Sequence, residues 1–263
     1  MVAVPESSSM QGRLRVHFVT EDDPLYVVRF FEVFLARYPP EDLEIVGITV
    51  AAPFRESRLA TAERILRLYG LVGVCRLGAR FARASLRGRS IARLARRHGI
   101  PLLPATSVND PTYVARVRML RPDVIASVAA PEIFREDLLA SARRGCINLH
   151  SGRLPEYRGM LPTFWQMLAG EPHATVTVHE MAAQIDAGAV LGTELCAIRK
   201  RDSLDRVMTE AKVVGARLMI RVLRELARGM SRPQPLDMSR ARYYAFPNRS
   251  DALALRARGH RLL

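Results

Sequence analysis

Short apolar runs alternate along this chain with stretches in which apolar residues recur at helical spacing. The first run covers 14–20, apolar positions at helical spacing follow from Val27 to Leu35, and a second apolar run covers 44–51. Between them, residues 21–24 supply a capping carboxylate and a proline suited to a first helical turn. A strand, a helix and a strand in this order predict a βαβ unit with parallel strands.

The same alternation continues through the rest of the chain. Further strands are predicted at 99–103, 124–128, 145–149, 174–179 and 189–198. Further helices are predicted at 111–120, 133–144, 162–168, 204–228 and 251–258. The pattern therefore predicts an α/β fold, with a mostly parallel, twisted sheet and helices on both faces.

A helical insertion is predicted from about residue 55 to residue 98. Its leucines and valines between 66 and 77 form an apolar side, and arginines occupy much of the rest. Two interpretations stay open: a helical pair packed on the domain, or an amphipathic segment in peripheral contact with an acidic membrane surface.

We divide the chain into a disordered N-terminus (1–13), one catalytic domain (14–230) and a C-terminal tail (231–263). No signal peptide and no apolar run of roughly 20 residues is recognisable, which favours the cytoplasm. The three cysteines lack C-x-x-C spacing, so neither a metal site nor a disulfide framework is expected.

The net charge of +14 raises the question of a nucleic-acid partner. Nearly all of this charge is arginine, since Lys200 and Lys212 are the only lysines. The arginines are spread along predicted helical faces, with one concentration from Arg80 to Arg97. Nucleic acid is therefore possible as a partner but is not favoured.

Candidate chemistry is concentrated where apolar runs end. Asn148 lies near the end of the run 145–149, His150 follows it directly, and Asp186 lies in the turn Ile185–Gly188. An amide can donate to a developing oxyanion, an imidazole can carry a proton, and a carboxylate can orient that imidazole. Side chains two residues apart on a strand share a face, so Asn148 and His150 are expected to point the same way. This set indicates acyl-type transfer to a nucleophile.

The Asn-x-His segment, the loop 154–159 (LPEYRG) and the turn IDAG at 185–188 together resemble the folate-dependent formyltransferases. The resemblance runs from about Leu14 to Arg228. It implies a Rossmann-like sheet, 10-formyltetrahydrofolate as co-substrate without a metal, and catalytic roles for Asn148, His150 and Asp186. The implied folate contacts are Ala129, Ala130, Pro131, Ile133, Ile185 and Asp186. The implied contacts to the acceptor are Arg153, Tyr157, Arg158 and Gly159.

The resemblance implies transfer of a formyl group to a primary amine, and an amino sugar on a nucleotide carrier is the favoured acceptor. Three alternatives stay open: formylation of methionyl-tRNA, hydrolysis with water as acceptor, and a catalytically silent module that binds folate or membrane. Relatives usually carry Ser-Leu where Gly152 and Arg153 stand here. We interpret His17 as structural, His179 as packing or hydrogen bonding on a strand beside the site, and Trp165 as a core residue, with contact to the acceptor as its alternative.

Overall fold

The computed structural model describes residues 12–51 and 58–263. Most of the predicted disordered N-terminus, residues 1–11, lies outside the described residues, and so do residues 55–57 of the predicted insertion. The strands are β1 (Leu14–Glu21), β2 (Leu43–Ala51), β3 (Val124–Val128), β4 (Cys146–His150), β5 (Arg158–Gly159), β6 (His173–Glu180), β7 (Val190–Ala197) and β8 (Tyr243–Tyr244). The helices are α1 (Val27–Leu35), α2 (Arg58–Leu86), α3 (Ile91–Arg97), α4 (Pro111–Met119), α5 (Glu136–Leu139), α6 (Pro162–Ala169), α7 (Leu204–Ala227) and α8 (Arg249–Ala257).

Six strands form the central sheet in the order β2-β1-β3-β4-β6-β7. The first four pair in parallel, whereas β6 is antiparallel to both of its neighbours, β4 and β7. The predicted α/β class, with its mostly parallel sheet, is confirmed. Because β1, β3 and β4 run in the same direction, their carboxyl ends meet at one edge, where ligands bind in open sheets of this kind.

Both faces of the sheet are covered by apolar side chains. On one face, the buried ring of Phe18 packs edge-on against Phe30, Phe31 and Phe34 of α1, and the same core continues to α7. On the other face, a second core joins Ile125 of β3 to residues of α4 and α5. Burial on both faces explains why the central strands are almost continuously apolar.

Two predicted elements are wrong. Residues 99–103 form only isolated bridges to β2, at Leu102 and, just beyond, at Ala105. Pro101 and Pro104 lack the N–H that a strand ladder needs. The predicted helix 133–144 is a single turn, α5, because the N–H groups of Arg143 and Arg144 donate to the carbonyls of residues 122 and 123 instead of continuing a helix.

The predicted insertion is helical where the structure describes it, in α2 and α3. Gly70 has φ 69° and ψ 172°, so α2 consists of two helical segments joined at a kink. Its second segment leaves Leu71, Val72 and Leu86 exposed. Among the described residues, none of the helices combines the length and the hydropathy needed to span a membrane.

Residues 231–263 pack on the rest of the chain. β8 pairs in parallel with the two-residue strand β5. The indole of Trp165 donates to the carbonyl of Ala245 at 3.1 Å, and its ring stacks on Tyr244 at 4.8 Å. Leu255 of α8 is fully buried. The domain boundary at residue 230 stays a prediction.

Buried His17 supplies a test of stability against pH. Its Nε2 lies 2.9 Å from the Thr49 hydroxyl, and burial lowers its pKa from 6.5 to about 4. Between these two values the unfolded chain binds a proton that the folded chain excludes, so the free energy of unfolding falls as the pH is lowered. We expect His17→Gln to reduce this fall by about 3 kcal/mol. Urea unfolding of both proteins at neutral pH and at about pH 4 measures it.

The comparison isolates His17. Burial raises the pKa of Glu21 to about 7, which gives a contribution of opposite sign, but that contribution is common to both proteins and cancels. Equal pH dependence in wild type and variant would show that His17 does not titrate as described.

Candidate active site

The register of two strands places Asn148 beside His179. β4 and β6 are antiparallel, with Asn148 directly opposite His179. The Asn148 amide nitrogen lies 3.2 Å from His179 Nε2, and His179 Nδ1 lies 2.7 Å from the carbonyl of Glu180. Since a carbonyl can only accept, Nδ1 carries the proton and Nε2 accepts one amide hydrogen of Asn148. The second amide hydrogen of Asn148 is left for a ligand.

His179 is held in its neutral form. Its pKa is lowered to about 4, chiefly by burial and next by the proximity of His150, and the Asp186 carboxylate opposes this decrease only in part. A neutral ring at physiological pH keeps Nε2 as an acceptor. His179 therefore fixes the orientation of the Asn148 amide.

Asp186 lies in the turn between β6 and β7, and its carboxylate is close to both histidines. One carboxylate oxygen, Oδ1, is 3.6 Å from His150 Nδ1 and 3.7 Å from His179 Nε2. The other, Oδ2, accepts the backbone N–H of Gly159 at 3.0 Å. Asp186 has φ 51°, a left-handed conformation that costs free energy in residues other than glycine and that is found at functional sites. The predicted residues Asn148, His150 and Asp186 thus converge on one region.

His150 lies behind this carboxylate. Its Nε2–H donates to the carbonyl of Tyr157 at 2.6 Å, and its side chain is 7% exposed. Nδ1 can donate toward Asp186 only when the ring is an imidazolium, because Nε2 already carries a hydrogen. Protonated His150 would therefore form an ion pair with Asp186.

A cleft of about 210 Å³ opens in front of Asn148, His179 and Asp186. Its other lining residues are Ser127, Ala130, Pro131, Glu132, Ile133, Phe134, Met181, Ala182 and Ile185. Five of the six residues predicted to bind folate line it. The sixth, Ala129, precedes the lining loop and has φ 53°. The volume is smaller than that of sites enclosing a drug-sized ligand, so it suits one end of a larger molecule.

The loop 129–135 is held in place by polar contacts. The Glu132 carboxylate accepts from the Ser107 hydroxyl at 2.8 Å and from the Val108 N–H at 3.1 Å. The Asn109 amide donates to the carbonyl of Ile133 at 2.9 Å and accepts the Arg135 N–H at 2.8 Å. These bonds fix one wall of the cleft.

The residues predicted to contact the acceptor make internal contacts. Arg153 and the Tyr157 hydroxyl both bind the Glu171 carboxylate, each at 2.7 Å. The Arg158 guanidinium donates to the carbonyl of Ile185 at 3.1 Å, and Gly159 holds Asp186. None of the four lines the cleft. Arg158 and Gly159 support the Asp186 turn, and contact of any of the four with an acceptor stays a prediction.

Gly152 occupies a position where the resemblance implies serine, and the space around it leaves no room for a side chain. A Cβ at this position would lie 2.6 Å from Pro162 Cβ, 2.8 Å from the Tyr157 carbonyl and 2.9 Å from His150 Nε2. A larger residue would have to displace the carbonyl that holds His150.

A model of the formyl transferase family matches residues 83–223, more than half of this chain. The chain belongs to the formyl transferase family. The matched segment contains β3, β4, β6 and β7, and it includes Asn148, His150 and Asp186.

Solved structures of formyltransferases share the fold. A sugar N-formyltransferase from a Shewanella species has a TM-score of 0.56 and 17% identity, covering 88% of this chain and 76% of that one. Glycinamide ribonucleotide transformylase 1 from Symbiobacterium toebii has a TM-score of 0.59 and 14% identity, covering 86% and 95%. The N-formyltransferase from Helicobacter canadensis, in complex with folinic acid and dTDP-3-aminofucose, has a TM-score of 0.58 and 13% identity, covering 94% and 80%.

Six residues that line the cleft are not among the predicted site residues: Ser127, Glu132, Phe134, His179, Met181 and Ala182. The sequence places His179 on a strand beside the site, and in the structure it lines the cleft and binds Asn148. Glu132 was not singled out at all. Pairing the ends of two strands in register would have brought His179 to Asn148, whereas no local pattern marks Glu132.

Gly159 provides a test of how the site is held together. It has φ 95°, and an added Cβ would collide with the Tyr244 carbonyl of β8. We expect Gly159→Ala to destabilise the fold by about 1–3 kcal/mol and to lower formyl transfer, because the N–H that holds Asp186 must move. Thermal unfolding and initial rates measure the two effects.

Gly229→Ala is the matched control. Gly229 also has positive φ, 66°, but nothing lies within 4 Å of an added Cβ. Gly229→Ala should lower the stability to thermal unfolding through backbone strain and should leave the initial rate of formyl transfer unchanged. Full activity in Gly159→Ala would contradict the proposed link to Asp186.

Proposed function

We propose that this chain transfers the formyl group of 10-formyltetrahydrofolate to the primary amine of a nucleotide-linked amino sugar. The observation that carries the proposal is the set of Asn148, His179 and Asp186 at the mouth of one cleft, with His150 paired behind the carboxylate. Membership of the formyl transferase family supports the reaction type. The Helicobacter canadensis relative, in complex with folinic acid and dTDP-3-aminofucose, supports the choice of donor and acceptor.

The cleft walls suit a flat folate ring system. Ile133 is 60% exposed and Ile185 is 39% exposed, although both are large apolar residues. Exposed apolar residues that rim a concave site are typical of ligand contacts. Phe134 and Met181 line the same cleft.

Bound 10-formyltetrahydrofolate would supply the formyl carbon that the amine attacks. As the formyl oxygen gains negative charge, the second amide hydrogen of Asn148 donates to it, and His179 keeps that amide correctly turned. Asp186 accepts the proton that the amine loses on forming the new C–N bond. His150, as imidazolium, balances the charge of Asp186. The leaving nitrogen of tetrahydrofolate takes up a proton when its bond to the formyl carbon breaks.

A panel of acceptors tests the proposal. Purified protein with 10-formyltetrahydrofolate should release tetrahydrofolate when a dTDP- or UDP-linked amino sugar is added, and not with the matching hydroxyl sugar. The rate should rise with pH toward the pKa of the acceptor amine, because only the neutral amine attacks.

Other outcomes identify the alternatives. Release of tetrahydrofolate without any amine would indicate hydrolysis. Release that requires methionyl-tRNA and falls steeply with salt would indicate tRNA formylation. Folate binding without release for any acceptor would indicate a silent binding module. A cytoplasmic location stays a prediction.

A further inference from the structure

A second cleft, of about 400 Å³, lies between α1, the second segment of α2, the turn after α2, and α7. We call it the arginine cleft, because Arg29, Arg80, Arg83, Arg87 and Arg89 line it. None of its lining residues belongs to the cleft in front of Asn148. Its volume falls within the range of small-molecule sites.

Three of these arginines are held in place by carboxylates. Arg80 binds Asp205 at 2.6 Å. Arg29 and Arg89 share Glu32, at 2.9 and 3.0 Å. These ion pairs fix the guanidinium groups and neutralise part of their charge.

Arg83 and Arg87 remain without a carboxylate partner within residues 12–51 and 58–263. Five guanidinium groups therefore face one concave surface with two carboxylates beside them. Concave surfaces lined by charges of one sign concentrate the potential and attract ions of the opposite sign. A bound anion would relieve the repulsion among the arginines.

We propose that the arginine cleft binds a phosphate or diphosphate group. The guanidinium fork donates parallel hydrogen bonds that match phosphate oxygens, and several arginines in one site favour a polyanion over a single carboxylate. Thr209 also lines the cleft, and its hydroxyl donates to the carbonyl of Asp205 at 2.8 Å. This inference does not depend on the catalytic assignment.

The phosphate can belong to a soluble nucleotide or to a lipid headgroup. Leu71, Val72 and Leu86, on the same segment of α2, are 72%, 73% and 89% exposed. Exposed apolar residues next to arginines are also the composition of helices that rest on acidic membranes. The experiment therefore has an arm for each source.

Calorimetric titration with inorganic pyrophosphate and with UDP forms the first arm, and co-sedimentation with vesicles of phosphatidylglycerol and phosphatidylcholine forms the second. We expect binding in at least one arm, weakened roughly tenfold or more in Arg83→Ser/Arg87→Ser, because each substitution removes charge-assisted hydrogen bonds. Arg116→Ser/Arg217→Ser is the matched control, since both arginines are exposed and lack a carboxylate partner within the described part of the chain.

Leu71→Ser/Leu86→Ser separates the two sources. If it lowers vesicle binding and leaves pyrophosphate binding unchanged, the cleft takes a lipid phosphate. If pyrophosphate or UDP binds and vesicles do not, the source is a soluble phosphate ester. Thermal unfolding verifies that each variant is folded. Absence of binding in both arms, or equal loss in the Arg116 and Arg217 control, would overturn the proposal.

Discussion

Asn148→Ala is expected to lower kcat for formyl transfer by about 10²- to 10³-fold. The substitution removes the amide hydrogen left free beside His179, and with it the donor proposed for the formyl oxygen. The oxygen becomes negatively charged only during the reaction, so the loss should appear in kcat more than in the KM for folate. Steady-state kinetics with 10-formyltetrahydrofolate and the best acceptor amine measures both parameters.

Asn109→Ala is a matched comparison because it also removes one amide. Asn109 holds the loop 129–135 through Ile133 and Arg135 and does not line the cleft. It should raise the KM for folate and leave kcat largely intact. Circular dichroism establishes that both variants are folded. If the two variants lose kcat equally, Asn148 is not a direct donor.

Asp186→Asn is expected to lower kcat by about 10²- to 10⁴-fold. Asparagine keeps the size of the side chain, can still accept the Gly159 N–H, and tolerates the left-handed backbone at this position. The substitution therefore removes the negative charge and leaves the size, the hydrogen bond and the backbone conformation of the side chain's position largely unchanged. The variant loses the carboxylate that is proposed to accept the amine proton and that lies 3.6 Å from His150 Nδ1.

The pH dependence of the rate of Asp186→Asn shows whether activity is lost with the negative charge of the side chain or with a change in its shape. Without the carboxylate, the amine proton must leave to solvent, so the residual rate should depend more steeply on pH and added buffer bases should raise it. Asp137→Asn is the control, since its side chain is 86% exposed and forms an ion pair with Arg118 at the surface. Wild-type activity in Asp186→Asn would remove this residue from the mechanism.

The sequence predicts much of this site because its chemistry lies at the end of a regular element. The apolar run before Asn148 marks a buried strand, and the strand end marks the ligand-binding edge. The family resemblance joins Asp186 to Asn148, since the 37 intervening positions carry no local signal of contact. The structure then brings its carboxylate to His150.

The parts that escaped prediction depend on contacts between distant segments. The role of His179 follows from the register of β6 against β4, which the composition of neither strand reveals. Arg153 and Tyr157 have the side chains of an acceptor site, but Glu171 binds both. The helix predicted at 133–144 does not form over its full length, because the N–H groups of residues 143 and 144 donate to the turn before β3.

The pairing of β8 with β5 has a consequence for how the protein is made. The Tyr244 carbonyl accepts the Met160 N–H and lies next to Gly159, whose own N–H donates to the Asp186 carboxylate. During synthesis, a nascent chain that has completed the central sheet still lacks the contact between β8 and β5. We therefore expect a chain that stops before residue 243 to build the central sheet but to hold the Gly159 N–H, and with it the Asp186 turn, less firmly.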